Sequence, residues 1–178
     1  MDYTTKSLSR ATIRKLAPIF RFLFKQKAKG PFHVLKALEL LPDVFPSCNY
    51  EVVPDRNLPS NVVARCFRND TPNGYTVTIK ESVYKGAYRG NGACLGFICH
   101  ELCHIFLFNL GFTPVHERSF EDNTIPAYGS VEWQAKALCG EVMIPHEESK
   151  GMSYDRIIDY YHVSKGFANH RLGIKYGR

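Results

Sequence analysis

The sequence has no Cys-x-x-Cys pair, no internal repeat, no low-complexity tract and no dense Lys/Arg block. Each absence narrows the reading. In a chain of this size without a signal peptide, a disulfide framework is not expected. The six cysteines (Cys48, Cys66, Cys94, Cys99, Cys103, Cys139) then read as mostly buried, reduced thiols. The apolar run around Ile19 and Phe24 is broken by Arg21 and Lys25, and no small-residue cleavage site follows it, so no secretory signal is expected. Nor does any stretch read as a membrane span. A disulfide framework belongs to oxidising compartments, so a cytoplasmic chain is expected. The net charge of +6 is moderate and scattered, which is a weak pointer to nucleic acid.

What is present suits one compact domain, 1–178, with ordinary apolar and charged content. Ser7 or Ser9 can cap a first helix, in which Ile13, Leu16, Ala17, Phe20, Leu23 and Phe24 follow helical spacing. Pro18 falls inside that pattern and predicts a kink or a break into two helices. A second helix is expected over about 32–41, ended by Pro42 and Pro46. Three strands follow, at 49–53, 61–68 and 75–80, the last two joined by turn residues 69–74 as an antiparallel hairpin. Residues 81–92 read as a Gly-punctuated loop. Helices are expected at 131–143, 154–161 and 165–172.

The chemistry concentrates in Cys99-His100-Glu101-Leu102-Cys103-His104-Ile105. On a helix, His100 and His104 lie one above the other on one face. Two imidazoles so placed can share a Zn²⁺, and Glu101 beside them can take a proton from water. This is an HExxH pattern. Leu95, Ile98, Leu102, Ile105 and Phe106 form an apolar stripe that would bury the same helix at the centre of the domain.

Two histidines need a third ligand. An HExxHxxGxxH arrangement fails, because Leu107 and Leu110 stand where Gly and His are required. Carboxylates remain. Glu132 opens a predicted helix, whereas His116, Glu117, Glu121 and Asp122 fall in a polar, irregular stretch. A ligand on a rigid element is easier to hold in register, so Glu132 leads. Cys99 and Cys103 are also four apart and allow a Cys/His site, but they lie about 100° round the helix from the histidines. Packing is the preferred reading for them. Tyr128 and Arg118 are candidates to steady an oxyanion. His146, His162 and His170 have no spacing partner, and Trp133 reads as core.

The block Glu132-Trp133-Gln134-Ala135-Lys136-Ala137-Leu138-Cys139-Gly140-Glu141-Val142-Met143-Ile144-Pro145 resembles the segment that follows HExxH in the ImmA/IrrE metallopeptidases, roughly E-x-Q/E-A-x-x-F-A-x-E-L-L-M-P. Val83-Tyr84, Gly86-Ala87, Gly90 and Phe97-Ile98 before the motif are similar to that family's approach to its zinc helix. Ile125-Pro126-Ala127-Tyr128 resembles the lead-in to its third ligand, and Tyr161-His162-Val163-Ser164 with Arg171-Leu172 its closing helices. The chain departs from the pattern at Cys103, where Gly is usual, and at Leu138-Cys139, where Phe-Ala is usual.

The resemblance implies a zinc metallopeptidase with His100, His104 and Glu132 as metal ligands and Glu101 as catalytic base. It further implies a protein substrate, a helix-turn-helix repressor of the phage or mobile-element kind. No added sensor domain is expected, and no strong nucleic-acid binding. The expected fold is α+β: a single zincin-like domain with N-terminal helices, a small mainly antiparallel sheet, a central HExxH helix and C-terminal helices. Strand 75–80 is expected at the sheet edge beside the cleft. The rival reading is a non-catalytic regulator, binding DNA or protein, that uses residues 157–172 as a helix-turn-helix. Lys165, His170 and Arg171 are few basic residues for that role.

Overall fold

Ser9 opens the first helix, α1 (Arg10–Leu23), its hydroxyl accepting from Thr12 N at 3.1 Å. Such a cap contributes about 1 kcal/mol. The computed structural model describes residues 3–114 and 126–173. Pro18 lies inside α1 without dividing it into two helices. Ile13, Ala17, Phe20 and Phe24 are buried on both sides of Pro18, and Phe20 packs against Phe24, Phe32 and Phe106. Large apolar side chains contribute roughly 1.5–3 kcal/mol each when buried, which exceeds the ~3 kcal/mol cost of an internal proline.

Arg21 is buried on the same helix. Its guanidinium donates to the carbonyls of Val142, Lys27 and Gly30 at 2.9, 2.8 and 2.6 Å, so a charge in the core ties three chain segments together. The expected helix at 32–41 is instead α2 (Val34–Glu39) followed by α3 (Leu41–Val44). Pro42 sits in the first turn of α3, where no backbone donor is lost.

β1 (Asn49–Val53), β2 (Ala64–Arg68) and β3 (Tyr75–Lys80) form one sheet in the order β1-β3-β2. The β2–β3 hairpin is antiparallel as expected, but β1 pairs with β3 in parallel, so the sheet is mixed. β3 is therefore the central strand and not the edge. Its polar positions show why. Thr76 donates to Asn49 Oδ1 (2.6 Å) and Thr78 to Glu51 Oε1 (2.8 Å), both register partners on β1, while Lys80 Nζ donates to Pro59 O (2.8 Å). An alternating strand can be buried on both faces when its polar side chains are satisfied this way.

Residues 81–88, expected as loop, form α4 (Glu81–Tyr88), with Val83 and Ala87 one turn apart on its buried face. Asn91 then caps α5 (Gly92–Asn109), accepting from Ala93 N and Cys94 N. A Cβ at Gly92 would come within 2.5 Å of the Val163 backbone, so the close approach of a later turn requires glycine here. α5 is long and apolar enough to cross a membrane by length and composition, contrary to the reading that no stretch is. Its apolarity has another cause: it packs against β2, β3, α2 and α4 at the centre of the domain.

The remaining helices are α6 (Val131–Met143), α7 (His146–Ser149), α8 (Tyr154–Tyr161) and α9 (Lys165–Leu172). Among the described residues these make nine α-helices and three strands, an α+β domain. His162, in the left-handed region at φ 54°, closes α8.

A candidate metal centre between two helices

The geometry of α5 does what its spacing requires. His100 and His104 sit one turn apart with their Nε2 atoms 3.0 Å from each other and their rings edge to face. α6 brings Glu132 to the same point: Oε2 lies 3.2 Å from His100 Nε2, and Oε1 3.3 Å from His104 Nε2. Ser130 caps α6, accepting from Trp133 N at 2.9 Å, which fixes the turn from which Glu132 projects.

The N-terminal segment braces that turn, which sequence patterns did not suggest. Thr5 N donates to Gly129 O (2.8 Å), Leu8 N to Tyr128 O (2.9 Å) and Val131 N to Tyr3 O (3.0 Å). The Gln134 amide donates to both Lys6 O and Tyr128 O. Extended pairing over so few residues carries no hydrophobic period, so only the turn it pairs with could reveal it.

Glu101 lies half-buried beside the histidines, on the helix that packs against β2. Burial raises its carboxyl pKa, and the Glu132 charge pushes the same way, against the lowering effect of His104 and His100. Glu132 is held well below the usual carboxylate range, first by its contacts with His100 and His104. The two neighbouring carboxylates are thus driven apart, one toward accepting a proton and one toward permanent negative charge. Phe108 lies against the His104 ring (5.5 Å) and Tyr75 against Phe108 (5.0 Å). His104 Nδ1 has no hydrogen-bond partner among the described residues, so packing orients this ring.

The donor set fits a metal ion. The two ring nitrogens lie 3.0 Å apart, each meets one of the two Glu132 carboxylate oxygens at 3.2 and 3.3 Å, and one ligand atom from each residue lies within 4.8 Å of the others. Ligand atoms about 2.0–2.1 Å from a tetrahedral centre stand about 3.3 Å apart. Two imidazole nitrogens and one carboxylate are a donor set that divalent transition metals accept. His100, His104 and Glu132 form one group able to hold an ion, and Cys99, Cys103 and Cys139 form a second. The cysteines do not join the histidines, and α6 supplies a third thiol that spacing alone could not reveal.

Tyr128 is exposed, its ring edge against Trp133, which is itself only partly buried. His116, Glu117, Arg118, Glu121 and Asp122 lie outside the described residues. Arg171 is not free on the surface of α9. It grips Glu141 through Nη1 (3.1 Å) and Nη2 (3.3 Å), and Arg14 and Arg10 approach the same buried carboxylate at 3.3 and 3.5 Å. Glu141 lies nine positions after Glu132, so this cluster clamps α6 to α1 and α9.

Neither curated proteins nor solved structures give a match to the chain. Residues 97–173 match the family model described as the IrrE N-terminal-like domain, Peptidase_M78. A peptidase family implies a protein substrate, and a metallopeptidase implies a metal cofactor. The matched stretch holds His100, Glu101, His104 and Glu132 together with the closing helices, and it supports assignment of this chain to the ImmA/IrrE family.

Proposed function

We propose that this chain is a zinc-dependent endopeptidase of the gluzincin kind that cleaves a helix-turn-helix transcriptional repressor and so relieves repression. The observation that carries the reading is the convergence of His100 Nε2, His104 Nε2 and the Glu132 carboxylate, with Glu101 half-buried alongside. Zinc at such a site supplies Lewis-acid polarisation of the scissile carbonyl and activation of water.

The protein's own groups do the rest. Glu101 takes the proton of the attacking water and returns it to the leaving amine. Its raised pKa suits that exchange, because a base that must later act as an acid works best near the ambient pH. Phe108 and Tyr75 hold the His104 ring, and the Ser130 cap holds Glu132. β2 lies at the sheet edge and packs against α5, the helix that carries Glu101, so an extended substrate segment would align along β2, in place of the 75–80 strand. The substrate assignment rests on the family resemblance. A repressor of the phage or mobile-element kind, acting in the cytoplasm, is the partner it favours.

The rival reading, a DNA-binding regulator using α8 and α9, loses its main cation, because Arg171 is committed to Glu141. One experiment separates the two. The purified protein is incubated with a small helix-turn-helix repressor encoded beside it, with and without a zinc chelator, and duplex binding is measured in parallel. Cleavage at one or a few sites, abolished by chelation, is expected, with weak duplex binding that falls with salt. Tight, sequence-specific duplex binding that survives chelation, without cleavage, would overturn the proposal.

A further inference from the structure

Seven positions beyond Glu132, α6 presents Cys139 to the same helix α5. Two helical turns amount to about 10 Å along the axis, so the α5–α6 seam carries a second cluster beside the first. Cys99 and Cys103 share one face of α5, and Cys139 closes the triangle. The three Sγ atoms lie within 4.8 Å of one another, and all three residues are buried. Cys139 Sγ also points to Gly96 O at 3.7 Å. A mainly apolar cavity of about 340 Å³, which Cys139 lines together with Gly96 and Phe97 and which His100, Lys136 and Arg171 also border, reaches this corner from outside.

We propose that Cys99, Cys103 and Cys139 form a three-thiol site for trivalent arsenic, taken up as arsenous acid. Donor number comes first: three sulfurs around one point suit a three-coordinate centre, and small rotamer changes bring them to the spacing a single atom requires. Softness comes second. Thiolates select soft centres, whereas the nitrogen and oxygen donors of His100, His104 and Glu132 do not compete for one.

Charge decides among the soft candidates. Three As–O bonds break and three As–S bonds form. Each thiol proton leaves with one hydroxide as water, so arsenic stays trivalent and no electron is transferred. The product is neutral. Three thiolates around a divalent cation would leave one negative charge in the core, and around a monovalent cation two. Buried uncompensated charge costs several kcal/mol. Arsenous acid is itself small and uncharged, so it can enter the apolar cavity and form its first bond at Cys139.

The test uses the full chain with its zinc in place and its thiols reduced by a phosphine. Incubation with arsenite followed by native mass spectrometry should show one arsenic per chain. The added mass should be that of arsenic less three hydrogens, with zinc content unchanged. Cys139→Ala and Cys103→Ala should each weaken retention by about ten-fold or more, since each removes one attachment of a multiply held centre. Cys48→Ala should leave it unchanged. Binding at the folded site should also raise the Tm of the wild type, because a ligand that prefers the native state stabilises it. Having two variants guards against one of them failing to fold. A lowered Tm would mean capture by the unfolded chain and would overturn the proposal. Absence of an adduct, or an adduct as strong in both variants as in the wild type, would overturn it equally.

Discussion

Glu132 Oε2 lies 3.2 Å from His100 Nε2, although 32 positions separate the two residues in the chain. The contact joins the first turn of α6 to the middle of α5, and the metal-binding reading depends on it. Replacing Glu132 with Ala should leave both histidines in place but reduce metal affinity by at least ~10–100-fold, the loss associated with damage even to the outer shell of such sites. Elemental analysis after dialysis reads this directly. Unchanged zinc would move the third ligand elsewhere.

Glu101 is assigned proton transfer and not metal binding. Glu101→Gln keeps the size of the side chain and still accepts a hydrogen bond, but it cannot take a proton. Zinc content should be retained while kcat falls by roughly 10²–10⁴-fold. Loss of zinc in this variant would show a ligand or structural role instead.

The pH dependence follows from the burial of Glu101. A general base must be ionised, and burial raises the pKa at which this carboxyl ionises. Activity should therefore fall with decreasing pH sooner than it would for a solvent-exposed glutamate, whose pKa is about 4.3. The acid limb of kcat/KM against pH measures this, provided metal content is checked at each pH, because protons also compete for the ligands. An acid limb that persists unchanged in the residual activity of Glu101→Gln would remove Glu101 from the role of base.

Glu141 tests the scaffold and not the chemistry. Its carboxylate is buried under Arg171, Arg14 and Arg10, and the Arg171 side chain is itself only 9% exposed. Glu141→Ala leaves Arg171 buried without its partner, which should cost about 3–5 kcal/mol. For a protein of this size each kcal/mol lowers Tm by roughly 2–4 °C. A thermal melt shifted by less than a few degrees would show that the cluster is solvated in solution.

Much of the site was legible without coordinates because it is written in local periods. His100, Glu101 and His104 occupy one helical turn, and the stripe from Leu95 to Phe106 marks the helix as central. Helices 131–143, 154–161 and 165–172 have the bounds that their apolar spacing and caps predict. The antiparallel hairpin followed from the turn residues between β2 and β3. Glu132 could be favoured from sequence, because a carboxylate opening a capped helix is a rigid ligand.

The tertiary structure alone decided what depends on contacts between distant segments. Strand order is one case. Pairing β1 in parallel with β3 moved β3 from edge to centre and left β2 as the edge beside Glu101, and no period in the chain encodes which neighbour a strand selects. Residues 81–88 fold as α4 because burial of Val83 and Ala87 against the domain outweighs the glycines that suggested a loop. The bracing of the Glu132 turn by residues 3–8, the clamp of three arginines on Glu141, and the meeting of Cys139 with Cys99 and Cys103 all join residues far apart in the chain. Side-chain periodicity fixes which face an element buries. Which partner meets that face is set by the packing of the whole domain, and at this site the partners supply the third candidate ligand, the free sheet edge and the three-thiol cluster.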